Sequence, residues 1–150
     1  MAPEKTAAFA NTTPHLIAAI LSWPPTWFVA RLALASAYLL GGMVKLLDFQ
    51  GAVAEQAHFG LQPAALWAVV VIVVEITGAL LLILGRFVWL AAGTLGVLTA
   101  VATLVANNFW ALQDHERFMA TNSFFEHLGL IAGLAMAAMI AARRESRGGT

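Results

Sequence analysis

Four runs of about 20 mostly apolar residues, at 25–47, 63–84, 87–106 and 123–142, constrain this chain more than anything else in it. At about 1.5 Å of rise per residue, each run is long enough as a helix to cross the roughly 30 Å hydrocarbon core of a bilayer. Backbone N–H and C=O groups in lipid need internal partners, so only helices and closed barrels span it, and long uniform apolar runs read as helices. The whole chain agrees, with 61% apolar and 11% charged residues, where soluble domains carry roughly 45–50% and about 25%. The fold expected is an all-α integral membrane protein, an antiparallel four-transmembrane-helix bundle over residues 25–142. Residues 1–24 read as an N-terminal cytoplasmic or interfacial segment, and 143–150 as a basic cytoplasmic tail.

Charge and composition exclude several kinds of function. Eight basic and eight acidic side chains give a formal net charge of zero, so there is no basic field to hold a phosphate backbone, and no nucleic acid is expected as a partner. The absence of cysteine removes disulfides, dithiol chemistry and iron–sulfur clusters together. Neither a glycine-rich nucleotide motif nor H-E-x-x-H occurs, and no two histidines sit on facing spans to ligate a haem. A redox role would therefore need a bound small molecule.

Residues 15–22 are apolar but too short to span, and Trp23, Pro24 and Pro25 interrupt them. They read as an interfacial segment, with Trp23 and Trp27 at headgroup level, rather than as a signal peptide. Lys5, Arg86, Arg143, Arg144 and Arg147 fall on one side of a four-span layout, while Lys45 and Arg117 fall on the other. The positive-inside rule then puts both termini in the cytoplasm, with Arg31 inside the first span near its cytoplasmic end. Segments 45–62 and 107–122 face outward and hold most of the polar side chains.

Glu75 is the most informative residue. It lies about 16 Å along the second span, near the midplane, where an ionised carboxylate costs at least about 2.5 kcal/mol unless paired. Arg31 is the partner expected from the sequence. The pair would either fix helix register or leave Glu75 as a proton-accepting, ligand-orienting carboxylate. Lys45, Asp48 and Glu126 form a second candidate group at the outer helix ends, although a terminal lysine commonly just snorkels to the interface. His58, His115 and His127, with Asp114, Glu116 and Glu126, offer metal donors at no recognised spacing, and no metal site is expected. Asn107, Asn108, Phe109 and Trp110 end the third span, and Asn122 stands before the fourth; such amides suit a carbonyl-bearing headgroup. Small residues every fourth position, Gly129, Gly133, Ala137 and Ala141, and likewise Ala92, Gly96 and Ala100, read as helix-packing faces that leave a homo-oligomer open. Gly41, Gly42 and Gly78 read the same way, and the paired glycines would also make room for a flat ligand.

Together these residues resemble the DoxX family. The resemblance rests on R-L-A-L-A-S-A-Y-L-L-G-G-M-V-K-L-L-D at 31–48, E-I-T-G-A-L-L-L-I-L-G-R at 75–86 and N-N-F-W at 107–110, and covers about residues 28–142. It implies a four-helix inner-membrane bundle and a subunit of a quinone-linked oxidoreductase, as in the membrane subunits of thiosulfate:quinone oxidoreductase. Arg31, Lys45, Glu75, Asn108 and Trp110 match the family's recurrent positions, with Glu126 adjacent.

The leading expectation is an accessory subunit of a membrane redox system that binds an isoprenoid quinone in the outer half of the bundle. Asn108 and Asn122 would bond the carbonyls, Trp110 would stack on the ring, Lys45 would contribute to binding, and Glu75 or Glu126, with Arg31, would handle protons. The alternatives are a membrane anchor or assembly factor that docks soluble or membrane redox partners through its outer loops, and a small-molecule or proton transporter.

Overall fold

The computed structural model describes residues 13–106 and 108–148. Lys5 and Asn107, both used in the sequence reading, lie outside them. Every regular element among the described residues is helical: α1 His15–Ser22, α2 Pro24–Leu47, α3 Phe49–His58, α4 Ala64–Leu84, α5 Val88–Ala106, a 3₁₀ turn Phe109–Ala111 and α6 Asp114–Gly148. Helices α2, α4, α5 and α6 are each long and apolar enough to cross a membrane. Their outward side chains are apolar as well, for example Leu40, Leu47, Leu84, Val97 and Leu104, so the outer surface suits lipid.

Local chemistry sets the boundaries. Pro24 and Pro25 open α2 where no helical N–H is required, and the Thr26 hydroxyl donates to the Ile20 carbonyl at 2.6 Å, tying α1 to α2. Helix α1 keeps all its side chains exposed. Asp48 makes a corner: its N–H closes α2 on the Val44 carbonyl, and its carboxylate accepts from Gly51 N–H at 2.9 Å to cap α3. That cap is the role the structure gives Asp48. At the other end of the bundle Gly85, at φ 73°, ends α4; Arg86 N–H returns to the Leu81 carbonyl and Gly85 N–H to Leu82.

The bundle is packed in one half and hollow in the other. Toward the Gly85 turn, Ala35, Tyr38, Ala79, Leu82, Ala91, Leu95 and Leu134 form a closed core. Glycines permit the closest approaches: a Cβ on Gly42 would lie 2.8 Å from Ile76 Cγ1, and one on Gly78 2.8 Å from Leu95 Cγ. Of the small residues predicted to pack α6, Gly133 meets Leu34 and Ala137 is buried, but a Cβ on Gly129 would meet nothing within 4 Å. Gly129 is a correction to the packing face read from the sequence. Away from the Gly85 turn, α3 folds back against α4 and closes the end of the hollow half. That segment reads as an outward loop in the sequence and is instead a helix.

Candidate functional site

The hollow half encloses a cavity of about 430 Å³ to which α2, α3, α4, α5 and α6 all contribute. Lys45 Nζ donates to both oxygens of Glu75, at 3.1 and 3.2 Å, and both residues line the cavity. Their side chains are 20% and 12% exposed, so this is a largely desolvated ion pair. Gly41 sits beside it, and a Cβ there would be 3.4 Å from Glu75 Oε2. The paired glycines thus divide the work: Gly42 packs against α4 and Gly41 leaves room at the carboxylate.

The partner predicted for Glu75 was Arg31, and the structure corrects it. Side chains on a helix lean toward its N-terminus. Lys45, near the C-terminal end of α2, therefore points back into the bundle and reaches Glu75 instead of snorkelling outward. The same lean carries Arg31, near the start of α2, away from Glu75 toward Trp27 and the Gly85 turn. Because Gly42 faces Glu75 and Ile76, Arg31 lies about 16 Å from the ion pair along α2.

A second set of polar groups, Tyr38, Gln56, Thr99 and His127, lines the cavity, with Thr103 bonded to His127. Thr99 donates its single hydroxyl proton to the Leu95 carbonyl at 2.7 Å, so Tyr38, 2.8 Å from Thr99 Oγ1, is the donor in that bond and its own oxygen keeps its lone pairs. By the same logic Thr103 donates to the Thr99 carbonyl at 2.6 Å, and His127 Nδ1, 2.9 Å from Thr103 Oγ1, carries the proton between them. Gln56 on α3 is 5% exposed and lines the cavity, and its amide makes no hydrogen bond with the described residues. Apart from exposed Glu55 on α3, the remaining wall is apolar or aromatic, including Phe59, Trp67, Val71, Leu98, Val101 and Leu130. Trp67 and Val101 line the cavity yet remain 41% and 51% exposed, so the cavity reaches the apolar side of the bundle.

Of the site residues read from the sequence, the structure brings Lys45, Glu75 and His127 to this cavity and leaves the others elsewhere. Asn122 and Glu126 are exposed on α6 and bond one another at 2.6 Å. Asn108 is half-buried beside the 3₁₀ turn without capping it, and Trp110 is 60% exposed and packs edge-on against Phe109. His58 and His115 are exposed, and no three His, Asp or Glu side chains among the described residues gather as a metal would need. Sequence reading missed Tyr38, Gln56, Trp67 and Thr99. Tyr38, the chain's single tyrosine, lies mid-span, and Thr99 and Thr103 are hydroxyls one turn apart in the third span, which is the signal that was available.

Four spanning helices around a polar-lined cavity define a small multi-pass membrane protein. Residues 26–108, more than half of the chain and the stretch from α2 through α5, match the DoxX family, and the chain belongs to that family. It is 26% identical over 87 residues to the inner membrane protein YphA of Escherichia coli K12, a match covering 58% of this chain and 62% of that protein, so it spans less than two thirds of that relative. No solved structure matches it. The chain is thus a DoxX-family, multi-pass inner-membrane protein.

Proposed function

We propose that the cavity between the helices binds the head of an isoprenoid quinone, and that the protein acts as an accessory or subunit of a membrane oxidoreductase system. The observation that carries this reading is one cavity in which a desolvated ion pair and the amide of buried Gln56 meet a largely apolar wall that extends to the lipid-facing surface. Its volume falls within the roughly 300–1,000 Å³ of small-molecule sites. A lipid-soluble ligand would enter between Trp67 and Val101 without passing through water. Lys45 has a third ammonium proton beyond the two directed at Glu75, and Gln56 has an amide N–H₂; these are the donors for carbonyl oxygens. Tyr38 and Glu75 supply oxygens that accept from hydroxyls. A bound quinone would supply the electron-carrying chemistry that the side chains lack.

Purification in mild detergent followed by solvent extraction and mass spectrometry tests the reading. We expect quinone approaching one per chain, lowered several-fold by Lys45→Met and by the cavity-filling Ala102→Phe. An extract without quinone, together with no thermal stabilisation on adding a short-chain ubiquinone, would refute it.

A further inference from the structure

The Gly85 end of the bundle carries a group of side chains that the cavity does not use. The Arg31 guanidinium lies 5.3 Å from the centre of the Trp27 ring and that of Arg144 lies 5.1 Å from the same ring. The two cations are therefore no farther apart than the sum of those distances. Trp27 packs against the closed core, which holds the indole in place. Arg31 also presses on the Gly85 α-carbon, where any side chain would collide with its guanidinium. Its Nε is buried and has no hydrogen-bond partner, and neither arginine meets a carboxylate among the described residues. Two like charges on one ring repel each other, and a buried N–H without an acceptor is costly. A single anion with several oxygens would relieve both.

We propose that Arg31, Trp27 and Arg144 form a binding site for the phosphodiester of an anionic membrane lipid, of the phosphatidylglycerol type. Guanidinium groups present paired N–H donors that match phosphate oxygens, which a carboxylate-free pair leaves open for an outside ligand. The site stands where α2 begins and α6 ends, beside the α4–α5 turn, at the level where a span meets the headgroups. The acyl chains would run along the exposed apolar residues Phe28 and Leu32, one turn apart on the outside of α2. The site is far from the cavity and stands or falls separately from quinone binding.

Native mass spectrometry of the full chain, with equimolar phosphatidylglycerol and phosphatidylcholine of matched chains, provides the test. Phosphatidylglycerol should be retained in preference, by roughly 5-fold for each arginine. The preference should vanish in R31Q/R144Q, fall about 5-fold in R144Q alone, and persist in R117Q, which removes an arginine from the other end. The R144Q variant keeps the test valid if loss of Arg31 impairs folding. Equal retention of the two lipids by the unaltered protein, or a preference undiminished in R144Q, would overturn the proposal. Thermal stabilisation by inorganic phosphate alone, with no lipid retained, would reassign the site to free phosphate and overturn the lipid assignment.

Discussion

At the scale of single residues, the Lys45–Glu75 pair shows how much a membrane interior demands of a charge. Removing one partner strands the other in apolar surroundings, which costs about 3–5 kcal/mol in buried pairs; the lysine's partial exposure puts this pair toward the lower end. Lys45→Met and Glu75→Leu should each lower stability by about 3 kcal/mol, while Lys45→Met combined with Glu75→Leu should return to within about 1 kcal/mol of the parent. Denaturant titration in detergent micelles measures the cycle, and additive losses would mean that the two groups are not coupled. The need for a partner at position 75 was legible from the sequence, because hydropathy locates a midplane carboxylate. Its identity was not. Counting residues along a span gives depth, but the lean of side chains toward the helix N-terminus carries Lys45 inward and Arg31 away, and that lean does not appear in a hydropathy profile.

At the scale of helices, the four spans follow from length and apolarity, and the structure sets their ends within a residue or two of the predicted ones except at α6, which starts at Asp114 and runs on through Arg143 and Arg144. Helix α3 was not legible. Gln50, Gly51, Glu55, Gln56 and His58 give it the composition of a polar loop, and only its packing on α4, with Ala52 and Gln56 buried, reveals an amphipathic helix. Packing glycines are equally hard to rank by spacing alone. Gly78 and Gly129 both sit in small-residue contexts, yet a methyl on Gly78 would collide with Leu95 and one on Gly129 would find open space. Gly78→Ala should therefore cost about 1–3 kcal/mol, whereas Gly129→Ala should leave the melting temperature in detergent essentially unchanged. Equal effects of the two substitutions on thermal melting would contradict the close α4–α5 contact.

At the scale of the whole molecule, the closed half and the hollow half differ in charge as well as in packing, and this bears on orientation. Four crossings place the beginning of α2, the α4–α5 turn and the end of α6 on one side. Arg31 and Arg144 converge on that side, where the sequence also puts Arg86, Arg143 and Arg147. On the other side, Lys45 is drawn into the bundle by Glu75, so its charge is compensated within the membrane instead of being displayed in a loop. Arg117, at the exposed start of α6, then has little competition to offer. The charge bias is therefore steeper in the folded bundle than in the bare sequence, and on the positive-inside rule we propose that the Gly85 side faces the cytoplasm. In that orientation the cavity would open in the outer leaflet half. A C-terminal green fluorescent protein fusion should fluoresce, and a C-terminal alkaline phosphatase fusion should be inactive, whereas phosphatase inserted after Gly60 should be active. The reverse pattern would turn the cavity toward the cytoplasmic half and remove the argument from arginine placement, while leaving the cavity's own geometry untouched.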